Sequence, residues 1–111
     1  MSFRVHELPK AKADKRQIFQ WLHERSPAGA AAWLAAYDEL VEELQQRADA
    51  FGEAYENRDL ELDVRQGLFK TRRGRVYRVL FFIEGENVFI LRLRGPGQAP
   101  VRPDEIGTPE R

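Results

Sequence analysis

Two apolar runs near the C-terminal end, Val76–Ile83 and Val88–Leu93, are dense in Val, Ile, Leu and Phe. Such residues suit a pleated, half-buried surface, and the break Glu84-Gly85-Glu86-Asn87 between the runs predicts a hairpin. Upstream, Phe3–Leu8 alternates apolar and polar positions and predicts a short strand closed by Pro9. From Lys10 to about Arg25 the spacing becomes helical, with Ala11, Ile18 and Leu22 on one face and Asp14 and Trp21 beside it. Ser26-Pro27 predicts the start of a second helix, serine as N-cap and proline at the first helical position. Ala30, Trp33, Leu34, Tyr37, Leu40, Val41, Leu44 and Ala48 then keep a three- and four-residue spacing.

The stretch from Asp49 to Glu61 has little periodicity and predicts a loop with Phe51 and Tyr55 pinned to the body. Leu62, Val64, Gln66 and Leu68 alternate again, and Gly67 among them suggests a bulge. A turn at Lys70–Gly74 joins this strand to the hairpin as a three-stranded meander. The tail from Gly95 carries four of the six prolines, which argues against helix or inner strand there, with Val101 and Ile106 as its candidate anchors. The expected architecture is α+β in the order β-α-α-β-β-β. A twisted, mostly antiparallel sheet carries a helical hairpin on one face. Residues 1–95 form a single domain and residues 96–111 a proline-rich tail.

Composition narrows the function more than the fold. With 111 residues the chain fits one domain and buries roughly 65% of its unfolded surface. It has no cysteine, which excludes disulfides and thiolate metal sites. No apolar run approaches the roughly 18 residues of a membrane span, and the N-terminus lacks a signal-peptide stretch, so the expected location is the cytoplasm. Eighteen basic and eighteen acidic residues cancel over the whole chain, but not locally. Residues 62–94 hold eight Lys/Arg against three Asp/Glu, net +5, while residues 1–61 hold eight against twelve, net −4. A local field of that size attracts phosphate or an acidic protein segment.

Conventional catalytic chemistry is missing. His6 and His23 are the only histidines, with no third ligand in prospect, so no metal site is expected. There is no GxSxG, no Walker motif and no dinucleotide glycine pattern. What remains is a cationic set, Arg65, Lys70, Arg72, Arg73, Arg75, Arg78, Arg92 and Arg94. Guanidinium forks match phosphate oxygens and carboxylates. By strand alternation Val76, Arg78, Leu80 and Phe82 share one face, and Val88, Ile90, Arg92 and Arg94 another. Arg78 is the residue its neighbours explain least, and an ion pair with a helix carboxylate such as Asp14 stands beside a functional role for it. Tyr77 falls on the opposite face from Arg78, where core packing and base stacking are both open to it.

Five pieces in order, Glu7–Asp14 with Ile18, Glu24–Ala31, Val64-Arg65, Tyr77–Ile83 and Val88–Arg94, resemble the ParE/RelE superfamily of toxins (plasmid-stabilisation proteins) from type II toxin–antitoxin modules. The resemblance spans residues 3–95. It implies a small cytoplasmic, growth-inhibiting toxin, neutralised by a cognate antitoxin whose C-terminal segment covers its basic surface. It implies no cofactor, no membrane partner and no small-molecule substrate. RelE-like members cleave mRNA on the ribosome with Lys and Arg side chains and commonly a C-terminal Tyr or His, whereas ParE-like members act on DNA gyrase. Arg78 matches the strand arginine of the RelE pattern and Arg94 falls near its second arginine, with Lys70 the remaining candidate for a nuclease set. Past Arg94, however, the chain has neither Tyr nor His, which leaves leaving-group protonation without a donor and favours the ParE side. On that side, Arg65, Arg72, Arg73, Arg75, Arg78, Arg92 and Arg94 are the residues expected to contact the target or the antitoxin.

Overall fold

A computed structural model describes residues 2–54, 56, 63–98, 101, 102 and 105. Strand β1 (Arg4–Glu7) leads into helix α1 (Pro9–Arg25) and helix α2 (Pro27–Arg47), followed by a short 3₁₀ turn at Ala48–Ala50. Strands β2 (Arg65–Phe69), β3 (Tyr77–Glu84) and β4 (Asn87–Arg94) complete the order. They form one mixed sheet, β1-β4-β3-β2, in which β1 runs parallel to β4 and the other two pairings are antiparallel. The expected α+β architecture is the observed one. Tyr55, Leu62 and Ile106 lie outside the described residues.

Local chemistry explains the boundaries. Pro9, expected only to end the first strand, also occupies the first turn of α1, where its missing N–H costs nothing. The two helices share Ser26 as their junction. Its N–H donates to the Leu22 carbonyl at 2.8 Å and closes α1, while its Oγ accepts from the Gly29 N–H at 3.0 Å and caps α2. In the β3–β4 hairpin Glu84 faces Asn87, so Gly85 and Glu86 form the loop. Gly85 takes φ +61° at the first central position, the place that a type II′ turn reserves for glycine.

The sheet has two covered faces. On one, Trp33, Tyr37, Leu40 and Leu44 of α2 and Ala11 of α1 pack on Phe69, Val79, Phe81, Val88, Ile90 and Leu93. On the other, Leu80, Phe82, Phe89 and Leu91 are covered by Ala54, Val64 and Val101. Val101 of the tail is therefore a core residue, 4% exposed. Further along the tail, the Glu105 N–H donates to the Arg102 carbonyl at 2.9 Å.

The bulge is not at Gly67. The β2–β3 register runs unbroken through Gly67↔Val79, and the irregularity lies between Leu80 and Phe81, where the partner jumps from Arg92 to Ile90 and leaves Leu91 extra. Gly67 has another reason to be glycine, since a Cβ there would come within 3.0 Å of Leu40 Cδ1. The extra residue reverses the alternation of β4. Val88, Ile90 and Leu93 face the helices, whereas Arg92 lies opposite Leu80 and Arg94 opposite Arg78. The expectation that Val88, Ile90, Arg92 and Arg94 share one face is overturned by that single residue.

Candidate functional site

Arg78 and Arg94 stand opposite each other across β3 and β4, Arg92 reaches helix α1, and carboxylates meet all three. Arg78 forks both oxygens of Glu56, at 2.8 and 2.6 Å, and also donates to Gln66 Oε1 at 3.1 Å. Its partner is thus a loop carboxylate, not Asp14. Glu56 is 3% exposed, and its Oε2 also accepts from the Val101 N–H at 3.1 Å. Arg92 holds Asp14 through Nε at 2.7 Å and Nη2 at 2.9 Å, and donates through Nη1 to the Glu105 carbonyl at 2.7 Å. Arg94 donates from Nη2 to Glu105 Oε2 at 2.7 Å, while its buried Nε has no acceptor among the described residues. Arg65 donates to the backbone carbonyls of Asp49 and Phe51 at 3.0 and 2.7 Å, pinning the loop after α2.

The carboxylates respond as such pairings require. Burial pushes the Glu56 carboxyl up, but the Arg78 fork and the Val101 N–H outweigh it and leave it below its ordinary value. Glu105 is held down to about 2, first by its bond from the Arg102 backbone N–H and then by Arg94. Arg92 is pushed up by its bonds to Asp14 against the opposing effect of burial. A second pairing closes the start of the chain. Burial raises the Glu7 carboxyl, but Lys15, 2.8 Å away, and the Tyr37 hydroxyl both donate to it and bring it below its usual range.

The remaining cations sit elsewhere. Lys70, Arg72, Arg73 and Arg75 lie in the turn between β2 and β3, exposed, and none has an ion-pair partner among the described residues. Arg73 and Arg75 rim a groove of about 960 Å³ between α1 and this turn. Ile18, Leu22, Trp33 and Tyr77 give it an apolar lining, with Gln17 and Gln98 as polar positions and Trp21, 53% exposed, on the α1 side. Trp33 is buried, yet its indole N–H has no acceptor among the described residues. Tyr77 packs with the helix-side core. Beside Trp21, the Arg25 guanidinium stacks on the ring 3.7 Å from its centre.

The structure therefore divides the cationic set expected from sequence. Arg78, Arg92 and Arg94 come together under carboxylates, Arg65 serves the backbone, and Lys70, Arg72, Arg73 and Arg75 form an open basic turn. Sequence reasoning missed Glu56 and Glu105 because both lie in stretches without periodicity. It missed the groove because Trp21, Trp33 and Arg73 come from separate elements. His6 bonds Asn87 Oδ1 at 2.9 Å through Nε2, His23 stacks on Phe19, and no acid or histidine group among the described residues is arranged to hold a metal. No described helix is long and apolar enough to cross a membrane.

No protein-family model and no curated protein matches the sequence. Solved structures do. A chain of the chromosomal ParDE TA system from P. aeruginosa is 24% identical, covering 84% of this chain and 95% of its own, with a TM-score of 0.65. A chain of the toxin–antitoxin complex RelBE2 from Mycobacterium tuberculosis is 25% identical, covering 85% of this chain and 98% of its own, with a TM-score of 0.49. The ParDE likeness extends over nearly the whole of both chains and is a likeness of fold. Two helices laid on an open, mixed, four-stranded sheet are the fold that this chain shares with that chain of the ParDE system.

Proposed function

We propose that this chain is the toxin of a type II toxin–antitoxin module, acting in the cytoplasm by binding a macromolecular target such as DNA gyrase and held inactive by a cognate antitoxin. The observation that carries the reading is the fold it shares with a chain of a ParDE TA system, almost end to end. The disposition of the arginines supports binding over cleavage. Arg78, Arg92 and Arg94 each lie against a carboxylate, Tyr77 packs on the helix side, and no histidine lies among them. A cleavage site needs cations free to meet phosphate and an acid to protonate the leaving oxygen. The open basic turn and the apolar groove beside it supply what protein recognition uses, aromatic anchors inside a charged rim. Arg72, Arg73 and Arg75 are the proposed contacts for target or antitoxin.

Induced expression tests the reading. Growth should stop, with gyrase-trapped DNA breaks and intact mRNA, and co-expression of the neighbouring antitoxin frame should restore growth. Charge reversal at Arg73→Glu and Arg75→Glu should weaken partner binding at least about tenfold without changing the melting temperature. A ribosome-dependent mRNA endonuclease remains the second reading, because Arg78 and Arg94 stand directly opposite each other across β3 and β4. Cuts within codons would establish it in place of the first. Normal growth would leave a non-toxic interaction protein of the same fold.

A further inference from the structure

The groove between α1 and the β2–β3 turn is chemically one-sided. Its lining is apolar and aromatic, with Ile18, Leu22, Trp33 and Tyr77 joined by the exposed Trp21 on the α1 side. Its two charged lining residues, Arg73 and Arg75, are both cations and both come from the turn. No Asp or Glu lies among the described residues that line it, and neither guanidinium has an ion-pair partner among the described residues. The neutral polar groups lean the same way. Gln98 commits its Oε1 to the Gly95 N–H, which leaves its amide N–H groups as donors. Burial pushes the Tyr77 hydroxyl up in pKa against the opposing charge of Arg75, so it keeps its proton and can donate. The volume of about 960 Å³ falls within the roughly 300–1,000 Å³ of small-molecule sites, which set a few polar groups in an apolar lining.

We propose that this groove binds a small aromatic anion, a flat apolar body ending in one carboxylate that meets Arg73 and Arg75. Charge decides the sign of the occupant, because two guanidiniums with no carboxylate beside them match an anion through parallel N–H···O bonds. The aromatic lining favours a ring over an aliphatic chain, since stacked and edge-on contacts add to plain burial. The α1 side of the lining is apolar or neutral, so the site has a single charged end, as such a ligand does. Binding itself does not rest on the toxin reading. Only its consequence does, since Arg73 and Arg75 are also the proposed partner contacts and an occupied groove would withhold them. Absence of growth arrest would sink the toxin reading and leave this one standing.

The test uses the full-length, isotope-labelled chain with naphthoate and its uncharged counterpart naphthamide. Calorimetry gives the affinities, and the indole signals of the two tryptophans in a proton–nitrogen correlation spectrum locate the site. Naphthoate should shift the Trp21 signal and bind at least about tenfold more tightly than naphthamide. Arg73→Gln and Arg75→Gln together should bring the two ligands to about equal affinity at an unchanged melting temperature. Equal affinity of both ligands for the unaltered chain, or no shift of either indole at millimolar naphthoate, would overturn the proposal. So would tighter binding of a blocked acidic tripeptide with a central tryptophan, which gives the groove to a protein segment. Movement of the Trp21 signal with protein concentration alone gives it to a second copy and overturns the proposal as well. The comparison on the unaltered chain needs no variant and decides even if the double variant melts early.

Discussion

Arg78 and Glu56 show what a buried ion pair does when both charges are well hydrogen-bonded. Attraction between two desolvated charges offsets their desolvation only with such geometry, and removing one partner leaves the other stranded. Arg78→Ala should therefore cost about 3 kcal/mol of stability in urea unfolding, whatever it does to activity. Restoring an apolar partner with Arg78→Leu and Glu56→Leu together should recover most of that loss. The sequence marked Arg78 as the strand residue out of keeping with its neighbours, and that was legible because alternation put a cation beside Leu80 and Phe82. Its partner was not legible. Glu56 sits in a stretch without periodicity, which offered no place for it on either face of the sheet, and the helix carboxylate Asp14 stood as the nearer candidate. The same limit hid Glu105.

At the scale of elements, Asp14 completes an edge that β1 is too short to cover. β1 pairs with β4 only from Asn87 to Ile90, and beyond Ile90 the Leu93 N–H would be a buried, unanswered donor. Asp14 Oδ2 accepts it at 3.0 Å while both of its oxygens hold Arg92, so one helix side chain substitutes for a strand. Asp14→Ala should destabilise the protein by about 3 kcal/mol, and slowed amide exchange at Leu93 should be lost with it. A smaller effect belongs to the close approach of α2 and β2. Gly67→Ala pushes a methyl group into Leu40 and should cost roughly 1 kcal/mol, read as a lower melting temperature. Element types and order were legible because each long segment kept one period throughout. The bulge was not. Nothing in Leu91 or Arg92 announces an extra residue, and the side on which the last two arginines fall depends entirely on it.

For the whole molecule, charge ties the second face together and predicts acid sensitivity. Glu7, Glu56 and Glu105 all titrate below their ordinary value near 4.5 in the folded protein. A carboxyl lowered by folding adds stability that is complete above its unfolded pKa and is lost as pH falls through the folded one. The melting temperature should therefore hold above pH 4.5 and decline below it, for Glu105 down to about pH 2. The Glu105→Gln variant should show a shallower decline, measured by circular dichroism across that range. The parallel pairing of β1 with β4 bears on how the molecule comes into being. Strand β1, made before the helices, takes its place beside β4, which is made only after β3. On the ribosome the helical hairpin emerges with its apolar side bare, and no sheet exists to receive it until the C-terminal hairpin follows. A chain stopped at Glu86 would lack the neighbour of β1 and the Val88, Ile90 and Leu93 side chains that lie beneath the helices. Translation thus withholds the finished sheet from the cell until β4 has been made.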